Sequence, residues 1–116
     1  MVATRAGLGW IGKNALLITP EYGPRVRLVS ILMDAPLKPD LPTNKSSCGK
    51  CRSCVSACPV KALKGASWTP KNQRDDLILI DRCREVVHRN KELVGSNVCG
   101  VCISACPIGK KPQKEN

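Results

Sequence analysis

A run of four cysteines in the middle of the chain limits its possible folds more than any other feature. Residues 48–59 read Cys-Gly-Lys-Cys-Arg-Ser-Cys-Val-Ser-Ala-Cys-Pro, which is a C-x2-C-x2-C-x3-C-P spacing. Three thiolates separated in this way can surround one face of an iron–sulfur cubane, and the spacing is typical of [4Fe–4S] cluster ligands. The run therefore predicts a fold that is built around a cluster.

Four further cysteines supply the ligands for a second cluster. Residues 99–107 repeat the end of the first run as Cys-Gly-Val-Cys-Ile-Ser-Ala-Cys-Pro, and Cys83 lies between the two runs. In double-cluster ferredoxins, the cysteine before the proline binds the other cluster. We therefore predict two [4Fe–4S] clusters with crossed ligands. The predicted ligands are Cys48, Cys51, Cys54 and Cys106 for the first cluster, and Cys58, Cys83, Cys99 and Cys102 for the second.

Zinc ions and disulfide bonds are the alternatives for these cysteines. Structural zinc also takes four cysteines in C-x2-C pairs, but it requires neither a third cysteine at the same spacing nor two Cys-Pro pairs. Disulfide bonds form in oxidising compartments, and the sequence shows no secretory signal peptide. The pattern favours iron–sulfur clusters over both alternatives and leaves the decision to further evidence.

The chain is small and basic. Its 116 residues suffice for one small domain, and without phenylalanine the core must come from Leu, Ile, Val and the clusters. The formal net charge is +10, and two clusters with their thiolates would lower it to about +6. This charge indicates either an acidic partner, such as a redox protein or a nucleic acid, or lysines that only solvate the surface. No apolar run is long enough to span a membrane, and reduced cysteines are typical of the cytoplasm, so we expect a cytoplasmic protein without a membrane partner.

Outside the cysteine runs, the sequence predicts an α+β fold: a small bacterial-ferredoxin-like double-cluster domain preceded by a β-hairpin. Residues 15–18 (Ala-Leu-Leu-Ile) and 25–33 (Arg-Val-Arg-Leu-Val-Ser-Ile-Leu-Met) indicate two antiparallel strands, because the stretch Pro-Glu-Tyr-Gly-Pro at 20–24 between them is dense in turn formers. Residues 34–47 contain three prolines and are predicted to be a loop. A helix is expected from about residue 82 to 93, with Asp81 as its N-cap.

A glycine-rich stretch near the start carries weaker evidence of a binding site. Residues 7–12 match G-x-G-x-x-G, but a dinucleotide site would need a strand before the glycines and a helix after them, and neither is predicted here. A turn in which Gly7, Gly9 and Lys13 contact a phosphate is one interpretation, because glycines let backbone N–H groups approach a phosphate closely. The alternative is a turn that only allows Trp10 to pack.

Two stretches together with the cysteine runs carry a resemblance to a known family. The stretches are Ala-Gly-Leu-Gly-Trp-Ile-Gly-Lys-Asn at 6–14 and Leu-Ile-Thr-Pro-Glu-Tyr-Gly-Pro-Arg-Val-Arg-Leu at 17–28. With the double cluster pattern, they resemble the C-terminal part of epoxyqueuosine reductases and are similar to the same part of corrinoid reductive dehalogenases. The resemblance covers about residues 3–111. It implies a ferredoxin-like module that passes single electrons to a cobalamin, and it implies that the turn with Gly7, Gly9 and Lys13 contacts the corrinoid. It also implies tRNA as a partner.

The resemblance also implies how the chain is organised. Residues 1–40 correspond to a Gly-rich turn and β-hairpin remnant of the reductase core, 41–109 to the double [4Fe–4S] domain, and 110–116 to a basic disordered tail. The corrinoid-binding part and the acidic proton donor of these reductases correspond to sequence before Met1. Cobalamin is therefore not expected to bind to this chain alone.

Three functions follow from these observations. The first is electron transfer through two [4Fe–4S] clusters, as a ferredoxin-like carrier or as the redox part of a truncated or split reductase. The second is a corrinoid-dependent reductase of the epoxyqueuosine type that is active only with a partner domain. The third is nucleic-acid binding in which the clusters are structural. The predicted partners are a redox protein, which the basic charge suggests is acidic, a corrinoid-binding domain, or a tRNA.

Overall fold

Short helices and one two-stranded sheet make up the regular structure of residues 2–110, which are the residues described by the computed structural model. In chain order the elements are α1 (Val2–Arg5), β1 (Trp10–Ile11), β2 (Leu17–Ile18), α2 (Ser53–Ala57), a 3₁₀ turn (Arg74–Asp76), α3 (Ile80–Val94) and α4 (Val101–Ala105). The predicted α+β class is confirmed. The basic tail predicted for residues 110–116 lies, apart from residue 110, outside the described residues.

The β-hairpin is present, but one of its strands is not the predicted one. Strand β1 pairs antiparallel with β2, so that Trp10 faces Ile18. The four strand residues are all buried, and burial of these apolar side chains stabilises an otherwise very short ladder. Gly9 permits the pairing, because a Cβ at this position would lie 2.0 Å from the Ile18 carbonyl oxygen.

The strand predicted at residues 25–33 is wrong, since these residues have no regular secondary structure. The predicted strand at 15–18 is confirmed only in its second half, and its partner comes from the stretch that the sequence indicated as a Gly-rich turn. A strand with apolar residues on both faces is stable only when other parts of the protein pack on both faces. Residues 27–42 are all exposed, so the described part of the chain does not cover both of their faces. Strand β2 forms its hydrogen bonds with β1 instead.

The main hydrophobic core joins the hairpin to the second cysteine run. Its buried members are Trp10, Ile11, Leu17, Ile18, Trp68, Leu77 and Cys106. Trp68 is 2% exposed and lies in this core. The hairpin therefore packs directly against a predicted cluster ligand and is not a separate layer.

Helices α2 and α4 are the two copies of the sequence repeat, and they pack against each other. Each ends at the cysteine that precedes a proline, Cys58 in one copy and Cys106 in the other, with nearly identical extended backbone angles (φ −65°, ψ 116° and φ −68°, ψ 123°). Proline disfavours the helical conformation of the residue before it. The Cys-Pro pair therefore ends each helix and turns the last cysteine away from the helix.

Helix α3 is the only long helix among residues 2–110 and carries Cys83 in its first turn. The predicted helix is confirmed, but the predicted N-cap is wrong: the helix starts at Ile80 after Leu79, and Asp81 lies inside its first turn. The acidic side chain still suits the positive end of the helix dipole. Gly95 ends the helix in a left-handed conformation, with its N–H bonded to the carbonyl of Lys91.

Candidate metal centre

Four of the cysteines surround a small cavity between the hairpin and the first cysteine run. This group, which we call the Cys48 site, contains Cys48, Cys51, Cys54 and Cys106. The cavity has a volume of about 50 Å³. Three thiols come from the first run and the fourth comes from the end of α4. The structure thus brings together the first predicted ligand set.

The other four cysteines line a second cavity of about 230 Å³. This group, which we call the Cys83 site, contains Cys58, Cys83, Cys99 and Cys102. Most of the wall is apolar, with Val60, Leu63, Ile78, Ile80, Val86 and Ile103 among its residues. The cysteine from the end of α2 reaches this cavity, and the one from the end of α4 reaches the Cys48 site, as a crossed arrangement requires.

The two sites share one apolar core. Cys54 of the Cys48 site is buried with Ala62, Leu63 and Ile78, and the partly buried Cys58, Cys83 and Cys102 of the Cys83 site pack against the same cluster of residues. The thiols of Cys54 and Cys102 also influence each other electrostatically. Groups bound at the two sites would therefore lie next to each other without a layer of solvent between them.

The loop of the Cys48 site is held by a buried lysine. Lys13 is only 6% exposed, and its ammonium group donates to the carbonyl oxygens of Gly49 (2.7 Å) and Cys51 (3.0 Å). The N–H of Cys51 donates to the carbonyl of Cys48 (3.1 Å), which tightens the same loop. A positive charge is thus fixed beside the loop that carries Cys51, and this charge acts on the Cys51 thiol.

A hydrogen-bond donor of the protein reaches a cysteine sulfur at each of the two sites. The indole N–H of Trp10 donates to Sγ of Cys48 over 3.4 Å, and the backbone N–H of Ala62 donates to Sγ of Cys58 over 3.3 Å. Hydrogen bonds to cluster sulfurs are among the factors that set the reduction potential of an iron–sulfur centre. Both sites therefore have a donor to a sulfur, and at the Cys48 site this donor is the side chain of Trp10.

The end of α4 is fastened by an arginine from the segment after the hairpin. The guanidinium group of Arg25 donates to the carbonyl oxygens of four residues, which are Ile103 (3.0 Å), Ser104 (3.3 Å), Cys106 (2.8 Å) and Ile108 (2.9 Å). A cation at the C-terminus of a helix satisfies carbonyls that have no partner within the helix. This contact orients Cys106 toward the Cys48 site.

The pKa values of the thiols reflect the crowding of the sites. Burial raises the pKa of Cys102 to about 11, with further contributions from the neighbouring thiols Cys54, Cys83 and Cys99. Burial and the thiols around them also raise the pKa of Cys54 and of Cys83. Cys51 differs, because a hydrogen bond with Ser53 lowers its pKa and the charge of Lys13 acts in the same direction. Crowded thiolates with raised pKa need a compensating cationic group.

A buried amide fits the presence of clusters in the two cavities. Asn14 lines both cavities and is 3% exposed. Its Oδ1 accepts the N–H of Leu16 (3.2 Å), but its Nδ2 is buried and has no hydrogen-bond partner within the described part of the chain. Buried donors normally have acceptors, and the inorganic sulfides of a cluster are acceptors.

Within residues 2–110, no group of three or more His, Cys, Asp or Glu side chains is arranged to hold a single metal ion.

The glycine-rich stretch makes internal contacts at each predicted site residue. Gly7 lies against the backbone of Leu41, and Gly9 against the carbonyl of Ile18. Lys13 is bonded to the loop of the Cys48 site. Sequence reasoning singled out Lys13 but assigned it to a phosphate or corrinoid, and it missed Asn14 and Arg25 as site residues. No local pattern could have found Arg25, because its carbonyl acceptors lie 78 to 83 residues away.

A comparison with known protein families decides what the two sites hold. The model of the 4Fe-4S double cluster binding domain matches residues 47–109, which include all eight cysteines. The chain belongs to this family. The two predicted [4Fe–4S] clusters are thereby confirmed as its cofactors, over zinc and disulfides. Which cysteine binds which cluster stays a prediction, which the two cavities support.

The resemblance to epoxyqueuosine reductases is also confirmed. This chain is 42% identical over 116 aligned residues to the epoxyqueuosine reductase of Listeria monocytogenes serovar 1/2a. The alignment covers 94% of this chain and 29% of the relative. For the enzyme of Bacillus subtilis (strain 168) the identity is 33% over 111 residues, covering 94% of this chain and 28% of the relative. The chain thus spans less than a third of the length of these curated relatives.

Solved structures show the same relationship. The structure of epoxyqueuosine reductase from Bacillus subtilis superposes with a TM-score of 0.65 at 30% identity, over 94% of this chain and 29% of the other. A structure of epoxyqueuosine reductase with an epoxyqueuosine-modified tRNA-Tyr stem loop gives a TM-score of 0.65 at 30% identity, over 93% and 29%. In the present chain, none of the helices within residues 2–110 has the length and apolar character needed to cross a membrane.

Proposed function

We propose that this chain transfers single electrons through two adjacent [4Fe–4S] clusters and delivers them to a partner. The observation that carries the proposal is the arrangement of eight cysteines around two cavities that share one apolar core. When bound, the clusters supply one-electron redox chemistry. The protein contributes ligands, a dry surrounding at the Cys83 site and fixed charges at the Cys48 site.

The first experiment measures cluster content and reduction. Protein purified without oxygen is expected to contain about eight iron and about eight sulfide per chain. Dithionite titration followed by EPR should show that both clusters accept an electron reversibly. Protein that contains two zinc ions and no sulfide, or clusters that cannot be reduced without being destroyed, would rule out electron transfer.

An exposed apolar segment favours action as the redox part of a larger assembly over action as a free carrier. Residues 27–42 are all exposed, and Leu32 (98%), Val29 (85%) and Ile31 (74%) are among the most exposed side chains. Apolar residues occur on both alternating faces of 28–33, as in strands that are covered on both sides. This pattern fits a partner whose β-sheet has a free edge to which the segment adds as a strand.

The relatives suggest which partner this is. Since the chain covers 29% of the Listeria reductase, we propose that a corrinoid-binding domain, of the kind implied by the resemblance, receives the electrons. The contact of Gly7, Gly9 and Lys13 with a corrinoid or a phosphate remains part of this proposal. The reducing cytoplasm is the compartment in which such cysteines keep their clusters.

A turnover assay separates the carrier from a complete enzyme. The holo-protein is reduced with dithionite and incubated with cobalamin and a tRNA that contains epoxyqueuosine. We expect reduction of the clusters without turnover of the tRNA, because general acid catalysis needs a positioned acid and no Asp, Glu or His side chain among residues 2–110 lines either of the two cluster cavities. Robust turnover by this chain alone would contradict the carrier function.

Binding of tRNA is the part of the proposal that the net charge of +10 supports. One relative was solved with a tRNA stem loop. If the basic surface contacts the tRNA backbone, the logarithm of the binding constant should fall linearly with the logarithm of the salt concentration. Tight tRNA binding by protein whose clusters cannot be reduced would instead support structural clusters.

A further inference from the structure

The two sites differ in the charges and hydrogen-bond donors that surround their sulfurs. This difference affects which of the two clusters is reduced first. At the Cys48 site, the indole N–H of Trp10 points at Sγ of Cys48. The ammonium group of Lys13 is fixed 2.7 Å from the carbonyl of Gly49 and 3.0 Å from that of Cys51. Both groups come from the hairpin region and not from the cysteine runs.

The Cys83 site offers less stabilisation for added negative charge, because no buried cation of the described residues lines its cavity. The hydrogen bond to Sγ of Cys58 comes from the backbone N–H of Ala62 and not from a side chain. Arg74 also lines this cavity and lowers the pKa of Cys83 through its charge, but burial and the neighbouring thiols outweigh it. Arg74 is exposed, so water screens its charge, whereas the charge of Lys13 is buried.

Solvent reaches the Cys48 site at one cysteine. Cys51 is exposed, whereas Cys54 and Cys106 of the same site are buried and the four cysteines of the Cys83 site are all partly buried. Reduction adds a negative charge to a cluster that is already anionic. Water, hydrogen-bond donors and cations stabilise that charge, and an apolar wall does not.

We propose that Trp10 and Lys13 raise the reduction potential of the cluster at the Cys48 site above that of the cluster at the Cys83 site, so that the first electron taken up by the protein rests at the Cys48 site. The step is a one-electron reduction by an external low-potential donor, in which the core charge changes from about +2 to about +1 and no bond forms or breaks. Trp10 and Lys13 act as positioning residues through a ligand sulfur and through a fixed charge. The proposal rests on the electron-transfer function proposed above.

The chain offers a matched set of variants for testing this inference. Trp10→Phe keeps the ring packing and removes the N–H donor, and Lys13→Met keeps the buried stem and removes the charge. Trp68→Phe is the control, because Trp68 is also buried (2% exposed, against 8% for Trp10) but its N–H has no hydrogen-bond partner among the described residues. Arg74→Met removes an exposed charge beside the other cavity.

The measurement is a redox titration of the full-length holo-protein followed by EPR. A Cys51→Ser variant identifies the signal of the Cys48 site, since the altered ligand changes that signal. In Trp10→Phe and in Lys13→Met, the equilibrium constant for reducing the Cys48-site cluster should fall about tenfold, which for one electron equals about 59 mV. The signal of the Cys83 site should not move, and Trp68→Phe should match the unmodified protein.

Several results would overturn the inference. They are a higher potential at the Cys83 site in the unmodified protein, equal shifts at both sites, or a shift in Trp68→Phe as large as that in Trp10→Phe. If Lys13→Met does not retain eight iron, Trp10→Phe and its control decide the question. Failure of the proposed function looks different, because the unmodified protein then accepts no electron at all.

Discussion

Arg25 and Cys106 are 81 residues apart in the sequence, yet the guanidinium of the first donates to the carbonyl oxygen of the second over 2.8 Å. The same guanidinium also bonds to three other carbonyls at the end of α4. One side chain thus ties the segment after the hairpin to Cys106, the predicted fourth ligand of the Cys48 site. The N-terminal forty residues therefore contribute to the metal centre although they contain no cysteine.

The first prediction concerns this arginine. Arg25→Met should lower the free energy of unfolding of the holo-protein by about 2 kcal/mol, because several carbonyls lose a charged donor. The cluster at the Cys48 site should also be lost faster under a chelator than the one at the Cys83 site. Arg27→Met removes the same charge from an exposed neighbour and serves as the control. Equal effects of the two variants, measured by urea unfolding and by EPR during chelation, would contradict a specific role of Arg25.

The second prediction tests the crossed ligands. Cys58→Ala should damage the cluster at the Cys83 site and largely spare the one at the Cys48 site, and Cys106→Ala should do the reverse. Each variant should keep about four of eight iron atoms. EPR spectra of the reduced variants identify the cluster that remains. If Cys58→Ala loses the cluster of the Cys48 site instead, each cysteine run serves its own cluster.

The cysteine sets could be predicted from the sequence because spacing, proline position and count restrict cluster ligands strongly. The exposure of residues 27–42 could not be predicted from the sequence. Residues 25–33 have the pattern of a strand, and this pattern is the same whether the strand pairs within the chain or with another protein. Strand β1 was missed for the opposite reason: two apolar residues among glycines give no strand signal, and the pairing depends on the close approach of Gly9 to Ile18. Local patterns predict ligands and helices, whereas long-range contacts such as that of Arg25 require the fold.

The third prediction follows from the thiol pKa values in the chain without clusters. The thiolate is the reactive form, so Cys51, which is exposed and has a lowered pKa, should react fastest with iodoacetamide at pH 7.5. Cys102 should react slowest, and its rate should rise about tenfold per pH unit until pH reaches about 11. Mass spectrometry of each cysteine at several pH values measures this order. The control is the chain in urea, where all eight thiols should approach one rate.

The pH dependence of folding has the same cause. A raised thiol pKa means that the folded chain without clusters binds a proton more tightly than the unfolded chain. The protonated thiol therefore contributes to the free energy of unfolding in full below the ordinary thiol pKa of about 8.5. This contribution is lost as pH rises from there through about 11, the pKa of Cys102. Stability that increases across this window would contradict the burial of Cys102.

The fourth prediction contrasts a core residue with an exposed one. Ile18→Ala should lower the free energy of unfolding by about 2 to 5 kcal/mol, because the side chain is 1% exposed in the core that holds Cys106. Leu32→Ala should change it by less than about 0.5 kcal/mol, because Leu32 is 98% exposed. Anaerobic urea unfolding followed by cluster absorbance compares the two. A large effect of Leu32→Ala would show that the exposed segment already has a partner in the isolated protein, such as a second copy.

The last prediction concerns Asn14, which lies between the two cavities. Asn14→Asp keeps an oxygen that can accept the N–H of Leu16, as Oδ1 does now. The change removes the Nδ2 donor, which has no protein partner within residues 2–110, and adds a negative charge beside two anionic clusters. Because reduction makes each cluster more negative, both reduction equilibria should become less favourable, each by about tenfold or about 59 mV.

The control for this variant is Asn72→Asp. Asn72 also uses its Oδ1 as an acceptor, from the N–H and the hydroxyl of Thr69 (2.6 and 3.0 Å), and it lies outside both cluster cavities. The same charge is therefore added to the surface while the local turn is preserved. Redox titrations should show a shift in both clusters for Asn14→Asp and little shift for Asn72→Asp. Similar small shifts in both would mean that the amide of Asn14 only fills space, whereas a shift confined to one cluster would assign its N–H to that site alone.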